Sequence, residues 1–200
     1  MQEVIIATKN PGKAKEFIRM FEPHGIKVKT LLDFPEMEDI EETGQTFEEN
    51  AILKAEAVCK QFGQMVIADD SGLIVDILNG RPGIYSARYA GEEKNDEANN
   101  DKLLAELRDV KEQDRTARFY CALALALPGK NTITVNGKCE GSVLFERRGT
   151  YGFGYDPIFL VTEMNRSMAE ITPEEKTQIS HRARALQKLE VQLSELFLKE

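Results

Sequence analysis

Apolar positions along this chain recur in two rhythms, and the changes from one to the other mark out its elements. Residues 3–8, EVIIAT, are a short β-branched run that reads as a strand and breaks at the turn signal KNPGK. Over residues 13–24 the period lengthens, with Phe17, Met20 and Phe21 at helical spacing and Gly25 as the stop. Residues 26–31 alternate like a second strand, and the acidic stretch DFPEMEDIEETGQ after them has no period and reads as a loop. Thr46 opens a helix in capping-box spacing with Glu49. Its apolar face is Phe47, Ala51, Ala55, Val58 and Phe62, while Asn50 and Lys54, four apart, share a different face.

The run MVIA then reads as a core strand that finishes in two adjacent acids, Asp69 and Asp70, with Ser-Gly as its turn. A short strand over 73–77, the loop NGRPGIYSARYAGEE and a helix over 95–107 follow. The longest strand pattern covers 115–127, with Phe119, Cys121, Leu123, Leu125 and Leu127 on one face and Tyr120, Ala122, Ala124 and Ala126 on the other. Residues 132–145 read as its antiparallel neighbour across the turn PGKN, and 158–161 as a brief strand after the glycine-rich loop RRGTYGFGYDP. Ser180 caps a last helix whose buried stripe is Leu186, Leu189, Leu193 and Leu196. The mixed order of strands and helices predicts an α/β (α+β) fold around a mixed sheet.

Composition narrows the function classes. Two hundred residues, 42% hydrophobic, suit one globular domain spanning 1–200. A net charge of -8 argues against a protein that coats nucleic acid or an acidic membrane. A small anionic substrate then needs a local basic cluster or a bound cation. Cys59, Cys121 and Cys139 form no CxxC pair and read as reduced thiols. No signal-peptide pattern opens the chain and no apolar run has membrane-spanning length, so the expectation is a cytoplasmic protein.

Several short stretches carry candidate chemistry. TKNPGK joins a strand to a helix, where backbone N–H groups attract phosphate and Lys13 adds a charge; an ordinary turn fits the residues equally well. Asp69 and Asp70, joined by Glu41 or Glu42 of the acidic loop, offer the oxygen ligands that Mg²⁺ takes together with water and phosphate. Phe153 in GFGYDP offers a ring to stack on a planar base. SHR, residues 180–182, places a hydroxyl, an imidazole and a guanidinium at a helix start, with Lys176 upstream. Each stretch has a bland alternative in a solvated turn or helix end. Taken together they suit metal-assisted hydrolysis of a nucleotide polyphosphate.

With those residues assembled, the chain closely resembles the Ham1/RdgB family of inosine/xanthosine triphosphate pyrophosphatases. The resemblance rests on six ordered blocks: TKNPGK, ETGQTFEENAILKA, ADDSGL, GRPGIYSARYAG, GFGYDPIF and KTQISHRARAL. It implies hydrolysis of ITP, dITP and XTP to the monophosphate and pyrophosphate, Mg²⁺ as cofactor, a homodimer, and an elongated two-lobed fold with the nucleotide in the cleft between lobes. It further implies that Thr8, Asn10, Lys13 and Lys54 bind phosphates, that Glu42 and Asp70 hold the metal, and that Asp70, with Asp69 beside it, orients or deprotonates the attacking water. Ser71 would touch the substrate, Phe153 would stack on the base, and Gly154, Tyr155 and Asp156 would complete its loop. Lys176, His181 and Arg182 would close the site, the last two reading the 6-oxo edge of the purine. Two alternatives, a Maf-type nucleotide pyrophosphatase and a nucleotide sensor without turnover, are disfavoured by the complete SHR and FGYDP blocks and by the paired acids respectively.

Overall fold

The structure, a computed structural model, describes residues 3–197, with the side chains of the last helix described as far as residue 192. Its main elements are β1 (Glu3–Ile6), α1 (Pro11–Phe21), β2 (Lys27–Thr30), α2 (Phe47–Phe62), β3 (Val66–Val75), α3 (Asp96–Glu106), β4 (Thr116–Ala126), β5 (Ile133–Val143), β6 (Phe159–Val161), β7 (Arg166–Ser167), α4 (Pro173–Ile179) and α5 (His181–Phe197). The strands form one mixed sheet in the order β2-β1-β3-β4-β5-β6-β7. β1 is parallel to both β2 and β3, whereas β6 is antiparallel to both β5 and β7. The expected mixed sheet is therefore present.

Residues group into two compact units, Met1–Asp70 with Cys121–Gly137 and Arg182–Glu200, and Ser71–Tyr120 with Lys138–His181. In the first, the apolar sides of β1 (Val4, Ile6) and β4 (Cys121, Leu123, Leu125) pack with Phe17, Met20 and Phe21 of α1 and with Ala185, Leu186 and Leu189 of α5. Leu186 and Leu189 are thus buried as the period predicts, while the side chains of Leu193 and Leu196 lie outside the described residues. In the second unit Leu73, Val75, Leu103, Leu107, Phe119, Phe159 and Ile171 form a separate core. Burying a side chain of this size stabilises a fold by roughly 1.5–3 kcal/mol, so each unit has a substantial apolar core of its own.

Most element ends follow local rules. Asn10 caps α1 and Thr46 caps α2, each accepting from the backbone N–H three residues on. Gly25 and Gly63 close their helical segments at φ of 66° and 62°, the left-handed region that glycine enters freely. Two readings change, at Glu49 and at Ser71-Gly72, and one gains a preceding helix. Glu49 bonds the N–H of Gln45 at 2.6 Å rather than that of Thr46, so the α2 box is shifted back by one residue. Ser180 keeps the place expected of it, directly before α5, and also closes a short preceding helix, α4, its N–H donating to the Lys176 carbonyl. The ten-residue β3 runs through Ser71 and Gly72 instead of turning there.

Candidate active site

In the first unit the acids at the middle of β3 divide into two different environments. Consecutive strand residues point to opposite faces, so neighbours in sequence meet different partners. Asp69 Oδ1 forms an ion pair with Lys13 Nζ, and Oδ2 accepts from Arg182 Nε at 2.9 Å and Cys121 Sγ at 3.1 Å. Arg182 Nη1 pairs in turn with Glu16 of α1, and its guanidinium lies 5.7 Å from the centre of the Phe17 ring. Burial alone would push the Asp69 carboxyl up, but Arg182 and Lys13 outweigh it and hold Asp69 well below the usual carboxylate range. The Cys121 thiol is pushed well up, by burial first and then by Asp69.

Asp70 meets α2. Its Oδ2 accepts from Asn50 Nδ2 at 3.2 Å and its Oδ1 from Lys54 Nζ at 3.3 Å, the two donors lying one helical turn apart. Lys54 Nζ also donates to Glu42 Oε1 at 2.6 Å and to the Asp69 carbonyl at 2.8 Å. Two carboxylates, Glu42 and Asp70, thus converge on one ammonium group. Burial raises the Asp70 carboxyl above its ordinary value, with Lys54 and Lys13 opposing and Glu42 and Asp69 reinforcing. For Lys54, burial works against the charge, yet Asp70 and Glu42 prevail and its pKa is raised. The loop bearing Glu42 is held by Asn50, whose Oδ1 accepts from the Gly44 N–H at 2.8 Å. A Cβ at residue 44 would stand 2.7 Å from both Asn50 Oδ1 and Glu49 Cβ, which accounts for glycine there. Glu41, by contrast, is exposed.

The segment before α1 is similarly ordered. Thr8 is buried, and its Oγ1 accepts from the Asn10 N–H at 3.1 Å, while Asn10 Oδ1 accepts from the Lys13 N–H at 2.9 Å. Lys9 turns elsewhere, bonding the Met37 carbonyl at 2.6 Å and Asp39 at 2.7 Å. The first unit therefore brings together Lys13, Glu42, Lys54, Asp69, Asp70 and Arg182, with Thr8 and Asn10 at the start of α1.

In the second unit Phe153, Gly154, Tyr155 and Asp156 form a tight loop. Asp156 Oδ2 accepts from the Phe153 N–H at 2.9 Å and from Lys176 Nζ at 2.5 Å, and Lys176 Nζ sits 5.1 Å from the Phe153 ring centre. A Cβ at residue 152 would collide with Asp156 Oδ2, so that approach depends on Gly152. Tyr155 donates its hydroxyl proton to the Ser86 carbonyl at 2.8 Å, and burial pushes its phenol well up. Phe153 itself is half-buried. His181 stacks on Phe119, ring centres 4.9 Å apart, and is 5% exposed. Ser71 is half-buried on β3.

The two clusters separate the groups suited to polyphosphate from those suited to a planar base, and known proteins share their framework. The sequence profile of the Ham1 family matches residues 4–192. The chain belongs to the Ham1 family. A dITP/XTP pyrophosphatase of Bacillus anthracis is 58% identical over the full length of both chains. One from Bacillus subtilis (strain 168) is 60% identical, with 94% of this chain and 96% of that one covered. Among solved structures, the Ham1 protein of Staphylococcus aureus superposes with a TM-score of 0.84 at 46% identity, covering 96% of this chain and 98% of its own. A HAM1 protein from Coxiella burnetii gives 0.85 at 42% identity, covering 98% and 100%.

Within this Ham1-family chain, several residues of the site escape sequence reasoning. Asn50 shows only as a polar position one turn before Lys54, and Glu16 and Cys121 show as helix-surface and core residues. Ser86, whose carbonyl takes the Tyr155 hydroxyl, shows only as one position of the block GRPGIYSARYAG. Their partners lie 52 to 166 residues away in some cases, as for Asp69 with Cys121 and Arg182 with Glu16, so no local pattern reports them.

Proposed function

We propose that this chain hydrolyses the non-standard purine nucleotides ITP, dITP and XTP to the nucleoside monophosphate and pyrophosphate, consuming one water at the α–β anhydride bond. The observation that carries this reading is the sequence identity with relatives named dITP/XTP pyrophosphatases, 58–60% over 94% or more of the chain. The carboxylate-and-lysine cluster of the first unit and the aromatic loop of the second supply the chemistry such a reaction needs.

Mg²⁺ fits the donor set. Glu42 and Asp70 already face a common cationic group in Lys54, and carboxylate oxygens are what a hard divalent cation takes. Among the described residues no group of three or more His, Cys, Asp or Glu side chains is placed to hold a metal by itself. Two carboxylates with water and substrate phosphate oxygens match the usual partial protein shell of Mg²⁺. When bound, the ion supplies charge neutralisation at the polyphosphate. Asp69 has another part: held by Lys13 and Arg182, it aims the Lys13 ammonium, which with Thr8, Asn10 and Lys54 binds phosphate oxygens. Asp70, held by Asn50 and Lys54 of α2 at 3.2 and 3.3 Å, orients the attacking water and takes its proton.

On the base side Phe153 stacks on the purine, and Lys176 and His181 act as donors beside it. A 6-oxo purine accepts where adenine would present a second donor, so a donor-lined site disfavours ATP. Arg182 contributes to the same edge in this reading while its Nε and Nη1 hold Asp69 and Glu16. Ser71 contacts the substrate from β3. A homodimer, which the family resemblance implies, and a cytoplasmic location complete the proposal; among the described residues no helix is long and apolar enough to cross a membrane.

The test is incubation with ITP, dITP, XTP, GTP, ATP and dTTP, with Mg²⁺ and with EDTA, and identification of the released phosphate species. Pyrophosphate from the first three, lost in EDTA, is the expected result. Release of orthophosphate, or equal use of ATP, would contradict it.

A further inference from the structure

We propose that Asp96 and Asn100 of α3 are positioning residues for base recognition, acting as a two-point clamp on the backbone of Gly154 and so setting the direction of the Phe153 ring. The inference rests on the reading of Phe153 as the base-stacking residue. The two side chains are four apart and share one face of α3. Asp96 Oδ2 accepts from the Gly154 N–H at 2.7 Å, and Asn100 Nδ2 donates to the Gly154 carbonyl at 2.9 Å. Both polar atoms of one loop residue are therefore held by one helix, as a neighbouring strand would hold them. Gly154 has a φ of 61°, and nothing stands within 4 Å of a Cβ built on it. Glycine is needed there for its left-handed backbone, not for space, and a free glycine would let the loop take many other shapes. The clamp removes that freedom one residue from the stacking ring. On the other side the Phe153 N–H is held by Asp156, itself held by Lys176.

The helix gives up stability to do this. Asn100 is 0% exposed, and its Oδ1 is a buried acceptor with no hydrogen-bond partner among the described residues. Asparagine is also a weaker helix former than the apolar residues that would fill the same space. A leucine there would bury no orphaned oxygen, so packing alone does not account for Asn100. Asn99, on the same turn, does equivalent work on a second loop: Oδ1 accepts from the Ala90 N–H at 2.7 Å and Nδ2 donates to the Ala87 carbonyl at 3.0 Å. The opening turns of α3 are a platform for loop backbones.

The experiment compares the parent protein with Asn100→Leu, Asp96→Leu and Asp96→Asn, the last keeping an oxygen acceptor for the Gly154 N–H. Three quantities are read: KM and kcat for ITP, the inhibition constant of base-free tripolyphosphate, and amide hydrogen exchange over residues 152–156. Loss of one clamp bond corresponds to roughly a tenfold weakening. The two leucine variants should raise KM for ITP about tenfold, change kcat by less than about threefold, and leave tripolyphosphate inhibition at the parent value. They should also speed exchange in the loop, while Asp96→Asn stays near the parent in all three. An unchanged KM, or a tripolyphosphate constant that rises in step with KM, overturns the clamp. Exchange is read without nucleotide, so a parent that fails to hydrolyse ITP counts against the proposed function, whereas parent-like exchange in both leucine variants counts against the clamp.

Discussion

The two clusters of candidate site residues are organised by different physics. In the first unit charge is set against charge: Asp69 lies between Lys13 and Arg182, Glu16 holds the far side of Arg182, and Lys54 bridges Glu42 and Asp70. In the second unit the loop around Phe153 is held mainly by bonds to backbone atoms, from Asp96, Asn100, Asp156 and Tyr155. Polyphosphate carries several charges and little shape, and buried fixed charges suit it. A purine ring is neutral and planar, and what it requires is a ring held at the right angle. Substitutions that alter charge without altering shape should therefore damage the first cluster most, and those that alter loop geometry the second.

The largest expected effect is on turnover. Asp70→Asn keeps the size of the side chain but removes its negative charge and basicity, and kcat for ITP should fall by about 10³ or more. A nucleotide sensor would bind ITP unaltered in this variant and show no turnover in the parent, so a side-by-side assay separates the two. Next is Asp69→Asn, which leaves Lys13 and Arg182 buried beside a neutral group. Breaking a buried pair in this way costs about 3–5 kcal/mol, and the urea midpoint should drop accordingly. A midpoint within error of the parent would mean that the first unit does not depend on its charge pairing. Phe153→Ala should act in the opposite fashion, raising KM for ITP in line with the ~1–3 kcal/mol of a base–aromatic stack while barely moving the midpoint. Equal losses of KM and stability would erase the contrast between the clusters.

The smallest effect concerns a partly exposed charge pair in the second unit, unlike the buried pair of Lys176 with Asp156. Arg166 and the cap of α4 depress the Glu175 carboxyl from 4.5 to about 2. Because the folded value is the lower one, the group stabilises the fold fully above about 4.5, and the contribution is lost as pH falls through about 2. Both side chains are more than a third exposed, so solvent screening keeps the effect small. Glu175→Gln should lower the urea midpoint slightly at neutral pH, and the difference from the parent should shrink toward about pH 3. A difference that grows on acidification would reverse the sign of this argument.

Much of this architecture is legible in the chain because its causes are local. Alternation marks β4 and β5, helical spacing marks α1, Thr46 marks the start of α2, and Gly25 marks a stop. The two-residue strand β7 and the seven-residue helix α4 were hidden because neither is long enough to show a period. Ser71 and Gly72 mislead in a different way. Their composition is that of a turn, yet Leu73 N–H is tied to Ser86 Oγ at 2.9 Å, and a Cβ on Gly72 would collide with Ser86 and the Gly83 carbonyl. Glycine is there so that another segment can approach the strand, not so that the strand can turn.

The sequence by itself determined the family, through six ordered blocks, and the chemical types available to the site. Only the tertiary structure decided their partners. Strand geometry puts Asp69 and Asp70 on opposite faces, but which face meets α2 and which meets Lys13 and Arg182 depends on contacts as far as 113 residues apart. The same holds for Asn100 and Gly154, 54 residues apart, where an undistinguished helix position becomes the hold on a loop. Periodicity and capping are written in neighbouring residues. The electrostatic and hydrogen-bond environment of a side chain depends on what packing brings beside it.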